Sequence, residues 1–196
     1  NKNMKKKVLI VNFVSIFIFI ICILVGNILG VSSTKIISDY PPITIDGQIR
    51  GLISNIGILL WSFTSIICLF SVNVKSKSAI RELLIAGAFG SGLFAILDKL
   101  DLHQYLQKYS YTFIFISTFY FIFLLRKQIK KIDNKFLIIS LIFLSSSVLV
   151  DFLVQETVYL KSTTFLRILE EFFKFIGISN WIFFWLKVSK QNLINE

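Results

Sequence analysis

Residues 8–29, VLIVNFVSIFIFIICILVGNIL, form an uninterrupted run of uncharged and mostly apolar side chains. A helix of about 20 such residues crosses the hydrocarbon core of a bilayer. The run is longer than the apolar segment of a cleaved signal peptide, which has about 7–15 residues, and no small-residue cleavage site follows it. We therefore predict a retained membrane anchor at this position.

The composition of the whole chain agrees with a membrane protein. Of its 196 residues, 55% are hydrophobic and 16% are charged, whereas soluble domains have about 45–50% apolar and about 25% charged residues. This balance excludes a disordered chain, a coiled coil and a small disulfide scaffold, and it argues against an ordinary soluble enzyme. The lipid bilayer is the expected environment.

Five further stretches are apolar enough to be membrane spans. We predict an all-α fold, a polytopic transmembrane bundle of six helices that forms one domain over residues 1–196. The predicted spans are 8–29, 51–72, 79–100, 109–125, 136–154 and 164–188. The last is the least apolar, because it contains the ionisable residues Arg167, Glu170, Glu171 and Lys174.

The basic residues predict the orientation of these spans. With six spans, 14 of the 21 Lys and Arg residues fall on one side of the membrane and six on the other, and Lys174 lies within the last span. Because loops rich in Lys and Arg stay in the cytoplasm, we predict that both termini are cytoplasmic in a multi-pass plasma (inner) membrane protein. The net charge of +10 follows from these loops, so no nucleic-acid partner is predicted.

Small residues at helical spacing predict close helix contacts. Pairs such as Ala88 and Gly92 let backbones approach each other, which indicates that other helices pack tightly around the third span. Gly26 and Gly30 have the spacing of a dimerisation motif, a weak indication of a homo-oligomer. Cys22 and Cys68 differ in depth by about 14 Å, too far for a disulfide, and are predicted to be packing residues.

Ionisable residues of the third, fifth and sixth spans fall toward the same, outer side of the predicted bundle. Such residues are costly in a membrane and mark functional sites. The candidate cluster consists of Asp98, Asp101, His103, Asp151, Glu156, Glu170, Glu171 and Lys174. A purely structural interpretation is also open. Glu170 and Lys174 have the spacing of a helical ion pair, Asp98 can end a solvated helix, and Asp151 needs a partner such as Lys174 or His103.

Three kinds of function fit this cluster, and the sequence does not decide whether the protein is an enzyme. The first is binding of a cation or small polar ligand, or proton movement, at Asp98, His103, Asp151, Glu170, Glu171 and Lys174. The second is a membrane-embedded lipid hydrolase with a divalent cation held by Asp98, His103 and Asp151. The third is an accessory subunit whose polar sixth helix docks a membrane partner protein.

Three short motifs resemble a family of bacterial six-helix integral membrane proteins that is frequent in cyanobacteria. The second span contains Gly57-Ile58-Leu59-Leu60-Trp61, and the last contains Leu169-Glu170-Glu171-Phe172-Phe173-Lys174. The family's third helix ends in Asp-Asp-Leu-x-x-x-His-Glu. Asp98 and His103 match it, whereas Leu97 and Gln104 depart from it. The resemblance covers the chain from about residue 51 onward. It implies that Asp98, His103, Asp151, Glu170, Glu171 and Lys174 belong together, and it implies no activity.

The last span also resembles, in Glu170-x-x-x-Lys174, the carboxylate–lysine stretch of the last helix of microbial rhodopsins. Those proteins have seven helices, and the third span here carries no matching pattern of carboxylates and aromatic residues. A retinal pigment is therefore the least favoured interpretation of the sixth span.

Overall fold

The computed structural model of the chain describes residues 2–37, 51–73, 78–99, 126, 129, 132, 134–156 and 163–194. Regular secondary structure within these ranges is helical, as the sequence predicts, and they contain no strand. The helices are α1 (Lys2–Ile28), α2 (Ser33–Ile37), α3 (Leu52–Asn73), α4 (Ser78–Lys99), α5 (Lys135–Glu156) and α6 (Thr163–Ile194).

Five of these helices coincide with predicted spans. The bounds of α3, α4 and α5 agree with the predictions to within two residues, but α1 begins six residues before the first predicted span and α6 ends six residues after the last. Both helices continue over lysines, because helical backbone hydrogen bonds do not need apolar side chains and lysine has a high helix propensity. The predicted span 109–125 lies outside the described residues.

Four of the described helices are long and apolar enough to cross a membrane: Met4–Ile28, Leu52–Val72, Ile80–Lys99 and Lys135–Leu153. Helix α6 is not one of these four, although its 32 residues extend about 48 Å, more than the thickness of a bilayer core. What distinguishes α6 is therefore its composition and not its length.

The chain divides into two compact units. The first consists of Asn1–Gly57 and Ile138–Asn180, and the second of Ile58–Leu137 and Trp181–Glu196. Helix α1 belongs entirely to the first unit and α4 entirely to the second. Helices α3, α5 and α6 contribute residues to both, so each unit contains parts of several helices that are distant in the sequence.

One face of α1 is buried in the first unit. Ser15, Phe19 and Cys22 are buried along it at helical spacing, and Gly26 continues the same face. Small and polar residues of α1 thus face its neighbours. Cys22 and Cys68 are both free, as predicted.

Two glycines shape the end of α1. Gly30 has a positive φ of 76°, and its N–H donates to the Asn27 carbonyl at 3.1 Å while the Val31 N–H donates to the Gly26 carbonyl at 2.9 Å. This pair of bonds is a Schellman motif, in which glycine adopts the left-handed conformation. At Gly26, a Cβ would lie 2.6 Å from Cγ1 of Ile36. The spacing that indicated a dimerisation motif therefore serves a turn within the chain.

A short helix follows this turn. Helix α2 begins at Ser33, and its Ile36 side chain is fully buried. Burial of that side chain is the apolar contribution that holds so short a helix in place. The Gly51 N–H donates to the Lys35 carbonyl at 2.9 Å, which joins the two described ends of the segment.

Aromatic rings of three helices meet in the second unit. Trp61 of α3 lies 4.8 Å from Phe94 of α4 and 5.6 Å from Trp181 of α6, measured between ring centroids. The Trp181 Nε1–H donates to the Ser91 hydroxyl at 2.9 Å. Each ring thus contacts the other two helices, and the buried indole N–H of Trp181 is satisfied.

The small residues of α4 are contact sites, as predicted. A Cβ on Gly87 would lie 2.5 Å from the Trp185 ring, whereas a Cβ on Gly90 would meet nothing within 4 Å. The Ser65 hydroxyl of α3 donates to the Ala88 carbonyl at 2.8 Å. Helix α4 is therefore held on two faces within the second unit, by α3 and by α6.

Candidate functional site

The first half of α6 carries an ion pair whose carboxylate is buried. Glu171 is only 5% exposed, and its Oε1 lies 3.5 Å from Nζ of Lys174. Residues three apart lie on one face of a helix, one turn from each other. The sequence suggested a pair between Glu170 and Lys174, which stays a prediction, and the structure shows Lys174 beside Glu171.

Phenylalanines flank this pair within the first unit. Phe172 and Phe175 both pack against Phe19 of α1, with ring centroids 5.3 and 6.1 Å away. Phe173 packs against Phe143 of α5 at 5.8 Å. Because the rings reduce the amount of water near the two charges, both their mutual attraction and their desolvation cost are larger than at a protein surface.

Contacts between α5 and α6 fix the register of these antiparallel helices. The Ser140 hydroxyl donates to the Gly177 carbonyl at 2.8 Å, in agreement with the phenylalanine contact between the same helices. Following both helices for about three turns from this bond places Asp151 level with Arg167. Lys174 lies about two turns further along the axis, so Asp151 and Lys174 are not brought to one level.

The structure describes five of the six residues predicted to form the ligand site. Asp151 and Glu170 are half-buried in the first unit, which also contains the ion pair. Asp98 is half-buried near the end of α4 and belongs to the second unit. His103 lies outside the described residues, and so does Asp101. Among these residues, Glu171 and Lys174 form the ion pair described above.

The predicted metal set, Asp98, His103 and Asp151, includes a residue outside the described part of the chain. Among the described residues, no three His, Cys, Asp or Glu side chains are grouped so that they could hold a metal ion. Glu156, the remaining acidic residue of the predicted cluster, is the last residue of α5.

Asn180 is a buried polar residue that the sequence analysis did not single out. Its Nδ2 group donates to the Asn12 Oδ1 of α1 at 2.6 Å and to the Ile176 carbonyl at 2.9 Å. Amide contacts of this kind hold helices together in apolar surroundings. The sequence feature that could have identified Asn180 is its position three residues after Gly177, on a face of α6 that contacts neighbouring helices.

The Glu171–Lys174 pair is suited to exchanging a proton or another ion. A carboxylate and an ammonium group in apolar surroundings stabilise each other only while both are charged. Protonation of Glu171, or arrival of another ion or polar group beside it, changes the charge balance of the whole pair. The Glu171–Lys174 pair is thus the described feature with the most evident chemical use.

A family model described as "Domain of unknown function (DUF8692)" matches residues 15–188 of the chain. No curated protein and no solved structure matches the chain.

Proposed function

The chain belongs to the DUF8692 family, a domain of unknown function, and we propose from its own residues that it is a six-span inner-membrane protein that moves a proton, or binds a cation or small polar ligand, at the Glu171–Lys174 pair. The observation that carries this proposal is the burial of Glu171 beside Lys174, between phenylalanines that pack against α1 and α5. Ionisable residues inside membrane segments are expensive, and they mark proton and ion pathways. Asp151 and Glu170, in the same unit, are further candidates for the pathway.

Exposed side chains of α1 support the bilayer as the partner of this protein. A line of large apolar residues follows one face of the helix, and each is more than half exposed: Leu9, Phe13, Phe17, Leu24 and Ile28. Water would hydrate such a surface at a high cost in free energy. Acyl chains of lipids cover it without that cost.

The apolar run 109–125 supports the number of spans. It lies between α4 and α5 in the sequence and is long enough to cross a membrane. Within the second unit, Gly87 contacts Trp185 while Ser91 contacts Trp181, so α4 runs antiparallel to the part of α6 in that unit.

The proposed orientation predicts where cysteine probes react. In a Cys22→Ser, Cys68→Ser background, we expect an impermeant maleimide to label Lys5→Cys and Lys190→Cys in inverted membrane vesicles and not in right-side-out vesicles, because basic segments stay inside. Lys35→Cys, on the exposed side of α2, is the matched control and should show the opposite pattern. Labelling of the Lys5 and Lys35 probes from the same side would contradict the proposed topology.

Proton movement predicts a measurable flux. In liposomes that contain a pH-sensitive dye, we expect the wild-type chain to dissipate an imposed pH gradient faster than empty liposomes do. Glu171→Gln should return the rate to that of empty liposomes, because the amide cannot take up the proton. Glu82→Gln, which changes an exposed carboxylate of α4, should leave the rate unchanged.

The cation-binding form of the proposal gives a different result in the same samples. Na⁺ or Mg²⁺ should then raise the unfolding temperature of the wild-type chain, and Glu171→Gln should abolish the increase. A wild-type chain that shows neither a flux above empty liposomes nor stabilisation by cations or small polar ligands would contradict the proposed function.

A further inference from the structure

Within the second unit, α3 and α6 face each other with polar as well as apolar side chains. The two helices run parallel, since Trp61 contacts Trp181 and, further along both helices, the Ser71 carbonyl accepts a hydrogen bond from Asn192 Nδ2 at 3.0 Å. From the level of the Trp61–Trp181 contact to that of the Ser71–Asn192 bond, residues with polar atoms recur on each helix at spacings of four and three. This polar seam consists of six buried residues: Thr64, Cys68 and Ser71 on α3, and Trp185, Ser189 and Asn192 on α6.

Two groups of the polar seam are not satisfied. Trp185 is 2% exposed and Ser189 is 4% exposed. The Trp185 Nε1 and Ser189 Oγ atoms are buried, and neither makes a hydrogen bond within the described part of the chain. Buried polar atoms are almost always paired, and an unpaired one in a native protein commonly marks the position of a bound water or ligand. Because the two residues are four apart on one helix, their side chains are neighbours.

We propose that a water molecule binds in the polar seam and bridges these two groups. An indole N–H only donates, so the bound molecule must accept from it, whereas the Ser189 hydroxyl can accept a hydrogen bond from the same molecule. Described residues of the seam carry no charged side chain that would select an ion. Water is the smallest molecule that both accepts and donates, and holding it costs less than leaving two buried polar groups unpaired.

Thr64 offers the water a third partner. Three residues after Trp61, it lies at the level of Trp185 and is fully buried. Its hydroxyl already donates to the Leu60 carbonyl at 2.7 Å, so its oxygen is still able to accept. Buried waters make about three hydrogen bonds each, which matches the groups at this level. The inference uses residues of the second unit alone and does not depend on the ion pair of the first.

The three tryptophans of the chain allow a direct test with an internal control. The chain is produced with ¹⁵N-labelled indole groups and reconstituted in lipid bilayers. Solid-state NMR then measures the transfer of magnetisation from water protons to each indole N–H. We expect the Trp185 resonance to build up several-fold faster than that of Trp181, which is equally buried but bonded to Ser91. Resonances are assigned with Trp185→Phe and Trp181→Phe.

A serine variant tests the bridge itself. Ser189→Ala should slow the transfer to Trp185, whereas Ser179→Ala, which removes a buried hydroxyl bonded to the Phe175 carbonyl, should leave it unchanged. Equal, slow transfer to Trp185 and Trp181 would overturn the proposal, and so would a Trp185 rate that Ser189→Ala does not change. If Trp185→Phe does not fold, Trp61→Phe and Trp181→Phe assign the remaining resonance by elimination.

Discussion

Gly87→Ala should lower the free energy of unfolding by about 2 kcal/mol. The new methyl group would lie 2.5 Å from the Trp185 ring, and that ring is packed between Trp181 and Phe184, with centroid distances of 5.7 and 5.1 Å. Alanine favours a helix over glycine by about 1 kcal/mol, but overpacking a rigid core costs about 1–3 kcal/mol and sometimes more. Because the Trp185 ring is buried and has a ring neighbour on each of these two sides, we expect the steric cost to win.

Gly90→Ala is the matched control for this prediction. Nothing lies within 4 Å of a Cβ at that position, so the helix preference should act alone and stabilise the protein by up to about 1 kcal/mol. Equilibrium unfolding in lipid–detergent bicelles measures both changes. Adding Trp185→Phe to Gly87→Ala should recover part of the loss, because the smaller ring makes room for the methyl group. Equal stability changes at the two glycines would show that Trp185 does not pack against Gly87.

Lys174→Met should also destabilise the protein by about 2 kcal/mol. The substitution retains the apolar stem of the side chain and removes the cation that lies 3.5 Å from Glu171. Removing one partner of a fully buried pair costs about 3–5 kcal/mol. We expect less here, because the Lys174 side chain is 18% exposed and water partly compensates the remaining carboxylate.

A double-mutant cycle separates the interaction from the two side chains. Glu171→Gln and Lys174→Met together should cost about 1 kcal/mol less than the sum of the single changes, since the double variant has no uncompensated charge in the pair. Arg167→Met removes an exposed cation of the same helix and should change the stability by less than about 0.5 kcal/mol. Strict additivity in the cycle would mean that Glu171 and Lys174 do not interact.

Apolar runs located the helices well because a span must be both long and uncharged. The same signal placed the start of α1 too late, because Lys5 and its neighbours continue the helix beyond the apolar run. It also could not reveal α2, whose five residues are held by contact with the end of α1. Hydropathy therefore describes which residues lipid can surround, and not where backbone hydrogen bonds begin and end.

The candidate site was harder to predict because depth along a helix says nothing about rotation around it. Spacing alone placed Glu171 and Lys174 on one face of α6, and burial confirms it for Glu171. The burial of Glu171 depends on the packing of the flanking phenylalanines against α1 and α5, which no local pattern encodes. The register of α5 against α6 likewise depends on the Ser140–Gly177 bond, and it was needed to find that Asp151 and Lys174 are not level.

The hydrogen bond from Gly51 to the Lys35 carbonyl has a practical consequence. It joins the two described sides of the intervening stretch, residues 38–50, and holds α2 beside the start of α3. The entropy of closing a chain segment grows slowly, by about 0.6 kcal/mol for each doubling of its length. An epitope or a small reporter domain grafted between these two anchor points should therefore leave the contact between α2 and the start of α3 intact.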